Sequence, residues 1–161
     1  MLPVVPGVMC PMRDFHLNFF SKRRPDPILS LESELIESDY AATAGCYVLG
    51  SKDGTDFVYP WGRSPVFYIG TSSKLRQRLK AHRKWIRRAR DEHQSRHFLS
   101  LHQYGASFGT DVAIYRRVKN ESIAKFESLL ITDFYNIYGA IPVANGAWPK
   151  LMRQPLGKLV T

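Results

Sequence analysis

The stretch VFYIGTSSKLRQRLKAH, residues 66–82, decides how the rest of the chain is read. It opens as an apolar, β-rich run, turns at Gly70 and the following TSS, and continues into a helix dense with cations. Counting 100° per residue from Leu75, Leu79 falls at about 40°, Ile86 at about 20° and Ala89 at about −40°, which defines one apolar face. On the same count His82 falls at about −20° and Arg78 at about −60°, inside or beside that face. A cation and an imidazole placed there need either a partner or a use.

The other cations of this helix follow a different line. Arg76, Lys80, Arg83, Arg87 and Arg90 lie between about 60° and 140°, a single stripe along the flank. No acidic residue interrupts it before Asp91. Cations spaced i, i+4 repel one another, so such a stripe is either a solvated face or a surface that neutralises the backbone of a polyanion. The stripe is expected to contact phosphates.

Upstream, GCYVLG at 45–50 is a second β-rich run, separated from 66–70 by the turn-rich SKDGTDFVYPWGRSP, which predicts a hairpin with a long loop. Downstream, the basic helix is expected at about 74–91. A polar, histidine-containing segment runs through HQYGASFG, and a third strand follows in DVAIYRRV, 111–118. A second helix is expected to start at Asn120 or Ser122 and stop before Gly139. Ahead of the hairpin, LSLESELIES at 29–38 reads as one short acidic helix with Ser30 as a cap and Ser33 following, and the Pro-rich residues 1–27 read as an arm.

The second helix carries the opposite oddity. With Phe126 at zero, Ile137, Leu130, Ile123, Phe134 and Ile131 spread from about 20° to 140°, and Glu127 sits at about 100°, inside the apolar arc. A carboxylate there is costly unless paired or bound to a metal. A buried Arg78–Glu127 ion pair tying the two helices together would account for both anomalies, and so would a functional site; periodicity leaves both open.

The whole chain fits this picture. Its 161 residues, 44% hydrophobic and 12% aromatic, suit one domain with trimmings. The surplus of 23 Lys and Arg over 14 Asp and Glu, formally +9, favours polyanionic partners. No apolar run approaches the roughly 20 residues needed to cross a bilayer. The opening MLPVVPGVMCPM lacks a basic n-region and holds three prolines, which argues against a secretory signal, so a cytoplasmic location is expected. Cys10 and Cys46 provide neither a disulfide framework nor a zinc site. His16, His82, His93, His97 and His102 match no familiar ligand spacing, and surface or solvated histidine is the expected reading.

In this order the residues resemble the GIY-YIG nuclease family. GCY at 45–47 stands where the first motif would be, and YIG at 68–70 matches the second as written. Arg78 and His82 look like the family's catalytic arginine and the histidine or tyrosine that follows it. FESLLI at 126–131 is similar to the helix bearing the metal-binding glutamate, here Glu127, and Asn145 in PVAN looks like the late asparagine. The first motif departs in having Cys46 where an aliphatic residue is usual, and the hairpin loop is long.

The resemblance implies an α+β fold, a small three-stranded antiparallel sheet flanked by helices, with an N-terminal extension. Residues 1–40 would be an arm and short helix, 41–148 the nuclease domain and 149–161 a tail. It implies a metal-dependent endonuclease acting on DNA, RNA not being excluded, with Glu127 holding one Mg²⁺ or Mn²⁺. Tyr47, Tyr68, Arg78, His82, Glu127 and Asn145 would form the catalytic set, with Arg76, Lys80, Arg83, Arg87 and Arg90 holding nucleic acid. The alternatives are a non-catalytic nucleic-acid-binding module using the basic helix, or an assembly component using the Pro-rich arm.

Overall fold

Among the described residues of the computed structural model, which are 25, 28–41, 43–92 and 98–147, six strands and three α-helices follow one another. They are β1 (Ile28–Ser30), β2 (Gly45–Ser51), β3 (Phe57–Tyr59), β4 (Gly62–Ser64), β5 (Val66–Ser72), α1 (Leu75–Asp91), α2 (Ser100–Phe108), β6 (Thr110–Arg116) and α3 (Ile123–Tyr138). The arm before residue 25, with Cys10 and His16, lies outside the described residues, as do His93, His97 and the tail 149–161.

β2 is the centre of the sheet. It pairs antiparallel with β5, placing Tyr47 opposite Gly70 and Leu49 opposite Tyr68, and with β6, placing Tyr47 opposite Ile114. The chain is α+β, but its main sheet has four strands, in the order β1-β6-β2-β5, rather than the expected three. The addition comes from the segment expected to be an arm and a helix: Ile28–Ser30 pairs with Asp111–Ala113 and covers the free edge of β6.

The rest of that segment is also not one helix. After β1 it forms two short 3-10 turns, Glu34–Glu37 and Asp39–Ala41, and Ser33 rather than Ser30 caps the first, accepting from the Leu35 amide. The buried residues explain why. Leu31, Ile36 and Ala41 are spaced by five, and an α-helix would turn each about 140° from the last, so it could not bury all three against one surface.

Because side chains alternate along β2, its two faces meet different helices. Tyr47 and Leu49, with Val112 and Ile114, pack against α1 and α2 through Leu75, Leu79, Ile86 and Leu101. Cys46 and Val48, with Ala113 and Tyr115, pack against Leu130, Ile131 and Phe134 of α3. α3 begins and ends close to its predicted limits: the Ser122 side chain accepts from the Lys125 amide, and Gly139 closes the helix at φ 78°.

The long hairpin loop carries a two-stranded ribbon, β3–β4. The Trp61 amide donates to the Tyr138 carbonyl at 3.1 Å, and the Trp61 ring lies so close to Gly139 that a β-carbon there would sit 2.7 Å from it. The ribbon therefore seals the C-terminal end of α3. No described helix is long and apolar enough to cross a membrane.

Candidate active site

The site is built where β2 and β5 lie side by side. Gly70 faces Tyr47 across the two strands, and a β-carbon at position 70 would come within 2.7 Å of the Tyr47 hydroxyl and of the Tyr68 ring. Glycine in YIG is thus what lets two phenols share one patch of sheet, their centroids 6.0 Å apart. Tyr47 is buried, 1% exposed, and Tyr68 is partly covered.

His82 meets them from α1. It is buried on the apolar face, as its helical phase predicts, and its Nε2 lies 2.7 Å from Tyr47 Oη. On its other side His82 Nδ1 lies 3.2 Å from Nε2 of His102, on α2. Burial pushes the His82 pKa down to about 3, and His102 and the Arg78 charge push the same way, so His82 is neutral at pH 7. Burial likewise raises the Tyr47 hydroxyl far above the ordinary phenol range; Tyr68 and Glu127 add to the rise and Arg78 opposes it. Tyr68 is raised too, mainly by burial.

Arg78 and Glu127 lie within electrostatic range of the same two tyrosines. The charge of each acts on both hydroxyls, Arg78 favouring the phenolate and Glu127 opposing it. Arg78 itself is exposed, so of the two expected positions, inside the apolar face or beside it, it takes the second. No ion pair joins it to Glu127, and neither has an ion-pair partner among the described residues. Glu127 is half-buried, and desolvation lifts its carboxyl above the ordinary range. The buried ion pair that would have explained both residues structurally is absent among the described residues.

Asn145 does something other than face the tyrosines. Its Oδ1 accepts from the Ile69 amide at 2.9 Å and its Nδ2 donates to the Ile69 carbonyl at 2.8 Å, so the side-chain amide acts as a short extension of the sheet. It clamps β5 midway between Tyr68 and Gly70. Its contribution to the site is through that backbone.

The basic stripe is occupied. Arg76 pairs with Asp39 and donates to the Ser38 carbonyl, Lys80 and Arg83 share Glu37, and Arg87 pairs with Glu32. Arg90 also acts on Glu32. The acidic residues missing from the helix arrive from the segment between β1 and β2. The other flank of α1 differs: at about −60° to −140° from Leu75 stand Arg78, Trp85, Lys74 and Arg88, with Lys84 at about 180°. Lys74 and Lys84 have no carboxylate partner among the described residues, while Arg88 pairs with Glu92 and lies 4.9 Å above the Trp85 ring. Trp85 is 41% exposed.

Among the described residues no three or more of His, Cys, Asp and Glu gather as a metal cluster. Beside the tyrosines, Glu127 offers a carboxylate that has no ion-pair partner among the described residues. That suits a hard cation holding one protein oxygen and completing its shell with water and phosphate oxygens, and it does not suit zinc.

No family model, curated protein or solved structure matches the chain.

Two residues of this neighbourhood escape a reading by local spacing, His102 and Trp85. The segment of α2 reads as irregular because it is short, lacks a side-chain cap and contains Gly105. That glycine is there for packing: a β-carbon on it would lie 2.6 Å from Ile86 of α1. The close approach brings His102 against His82.

Proposed function

We propose that this chain is an endonuclease hydrolysing phosphodiester bonds in DNA with one divalent metal, as its resemblance to GIY-YIG nucleases implies. The observation that carries the reading is the buried Tyr47–His82 contact beside Tyr68, built from β2, β5 and α1, with Arg78 and Glu127 both within electrostatic range of the two phenols. β2, β5 and β6 with their flanking helices would be the family's three-stranded unit, and β1 an addition at its edge. The non-catalytic reading relies on an Arg78–Glu127 pair, and it loses that support.

In this reading Glu127 holds Mg²⁺ or Mn²⁺, which when bound polarises the scissile phosphate and stabilises charge on its oxygens. Arg78, exposed and unpaired among the described residues, offers its guanidinium fork to the phosphate. Tyr47 orients the attacking water and accepts its proton as its own passes to His82 Nε2, which is neutral and within hydrogen-bond reach. Burial alone makes a free Tyr47 phenolate unfavourable, so the proton must leave through a partner. Tyr68 borders the same space, and Asn145 holds the strand that carries it.

The DNA backbone approaches along the flank of Lys74, Arg78 and Lys84, which have no carboxylate partner among the described residues, because the opposite stripe is already engaged by Glu32, Glu37 and Asp39. The test is a cleavage assay on supercoiled plasmid with Mg²⁺ or Mn²⁺. Nicking or cutting that a chelator stops, and that Glu127→Gln and Tyr47→Phe both remove, is expected. Unimpaired cutting by Glu127→Gln would overturn the metal assignment, and inert wild-type protein that still binds DNA would leave the binding-module reading.

A further inference from the structure

The Tyr47–His82 contact does not end at His82. His102 Nε2 continues the line from the far side of the imidazole, at 3.2 Å from Nδ1, and all three side chains are buried, none more than 6% exposed. His102 is fixed in turn: its ring lies nearly parallel to Trp85, at 18° and 6.3 Å between centroids, and Gly105 sets α2 close enough to α1 for the contact to form.

Two proton orders are compatible with such a line. In one, the hydroxyl of Tyr47 donates to His82 Nε2, and His82 Nδ1–H donates to His102. In the other, His102 donates to His82 and His82 donates to the tyrosine. A phenol is a much stronger acid than a neutral imidazole, and an imidazole nitrogen is a much stronger base than a phenol oxygen, so O–H···N is the stronger bond at the 2.7 Å step. A neutral imidazole that accepts at Nε2 must carry its hydrogen on Nδ1, and that hydrogen needs an acceptor. His102 Nε2 stands where the acceptor is required.

We propose that His102 is a positioning residue that locks His82 in its Nδ1–H tautomer, leaving Nε2 free to take the proton of Tyr47. The inference rests on the nuclease reading for its use, though not for its geometry. In the reaction the water oxygen forms a bond to phosphorus as the bond from phosphorus to the leaving oxygen breaks. The water proton moves to Tyr47 Oη, and the original Tyr47 proton moves to His82 Nε2. The imidazolium so formed is disfavoured by burial and by the Arg78 charge, so it is transient, with its Nδ1–H held by the neutral His102 until the proton is passed on. The leaving oxygen takes a proton from solvent water, and His82 gives its extra proton back to solvent. No oxidant or further reactant is needed. Burial lowers the pKa of His102, which keeps its Nε2 available as an acceptor.

The experiment has two arms on the full chain. Nitrogen-15 NMR of the histidine rings in wild-type protein near pH 7 should find His82 with its hydrogen on Nδ1, and in His102→Phe, which keeps a ring against Trp85, that signature should be lost. In the cleavage assay His102→Phe should lower kcat by about tenfold or more with KM little changed, and His102→Gln, whose amide oxygen can still accept, should recover most of the loss. His82 on Nε2–H in the wild type would overturn the inference, as would His102→Phe with normal kcat. If the tautomer signature is as expected but the wild-type protein cuts no DNA, the nuclease reading fails while the locking of His82 by His102 stands.

Discussion

Tyr47 and His82 form a buried hydrogen bond, 2.7 Å from Oη to Nε2, between the central strand of the sheet and the helix packed across it. Holding His82 neutral there has a thermodynamic consequence. Its pKa is about 3 in the fold against 6.5 for a free histidine, so below pH 6.5 the unfolded chain takes up a proton that the native chain refuses. The stabilisation is complete above that value and is lost as pH falls toward 3. Urea unfolding should therefore show stability falling with acidification, by at most about 1.4 kcal/mol per pH unit for this group. His102, also lowered, adds in the same direction. Glu32 and Glu37, lowered from 4.5, contribute only below that pH, whereas Glu127, raised above 4.5, opposes the trend inside the window between 6.5 and 4.5, so the histidine contribution is read there in a Glu127→Gln background. His82→Phe should flatten most of the slope in that window; an unchanged slope would place the proton uptake elsewhere.

Glu127 predicts the opposite sign. Desolvation raises its carboxyl, so in the metal-free protein the ionised form is a burden on the fold that protonation relieves. Glu127→Gln should leave the metal-free protein as stable as wild type or more so, by up to about 1 kcal/mol given its partial exposure, while abolishing cleavage. Thermal melts with and without Mn²⁺ separate the two effects, because only the wild type should gain stability from the ion. A variant less stable than wild type and equally responsive to Mn²⁺ would count against this carboxylate as the ligand.

Arg78 should behave as a residue of the transition state rather than of the fold. It is exposed and has no ion-pair partner among the described residues, so Arg78→Ala should change stability by no more than about 0.5 kcal/mol. Cleavage should drop by at least about a hundredfold, with a much smaller loss in DNA binding. Arg78→Lys should restore little of the activity, since a single ammonium lacks the paired geometry of the guanidinium. Equal losses in binding and cleavage would move Arg78 among the ordinary backbone contacts.

Gly70 connects the sequence motif to the site most directly. Adding one methyl group there drives it against both tyrosines at 2.7 Å, and Tyr47 is walled in by His82 on its other side. Gly70→Ala should cost about 1–3 kcal/mol and disturb the Tyr47–His82 bond. The upfield or downfield shift of the His82 ring resonances, followed alongside the melting temperature, distinguishes a displaced tyrosine from a global loss of stability. A variant with native resonances and full activity would mean the rings have more room than the geometry allows.

These residues also mark how far sequence reasoning reaches. The placing of His82 and Glu127 is legible because each sits on a long helix whose period fixes its face, while Tyr47 and Tyr68 are singled out by the resemblance and meet through the sheet register. β1 is not legible, because three residues cannot establish an alternation and Ile28–Ser30 is extended only through its pairing with β6. α2 is not legible because its glycine reads as a breaker, although the need for that glycine comes from Ile86, about twenty residues away along the chain and on another helix. Helical phase locates the stripe on α1 correctly, but its partners Glu32, Glu37 and Asp39 belong to a segment whose path depends on burying Leu31, Ile36 and Ala41, information that no helical wheel contains.

The two flanks of α1 therefore make competing claims on a polyanion, and the salt dependence of DNA binding can decide between them. Lys80 and Arg87 already face Glu37 and Glu32, so a phosphate that met them would have to displace a carboxylate, and fewer phosphates would be neutralised there. Lys74 and Lys84 have no such partner among the described residues and can neutralise a phosphate without displacing a carboxylate. The double substitution Lys74→Ala with Lys84→Ala should weaken binding and reduce the slope of log affinity against log salt by nearly 1 for each phosphate that is no longer neutralised. Lys80→Ala with Arg87→Ala removes the same formal charge and so serves as the matched control; it should change the slope less. If the control pair flattens the slope more, the DNA lies on the stripe after all, displacing the acidic segment, and the flank bearing Trp85 is not the binding surface.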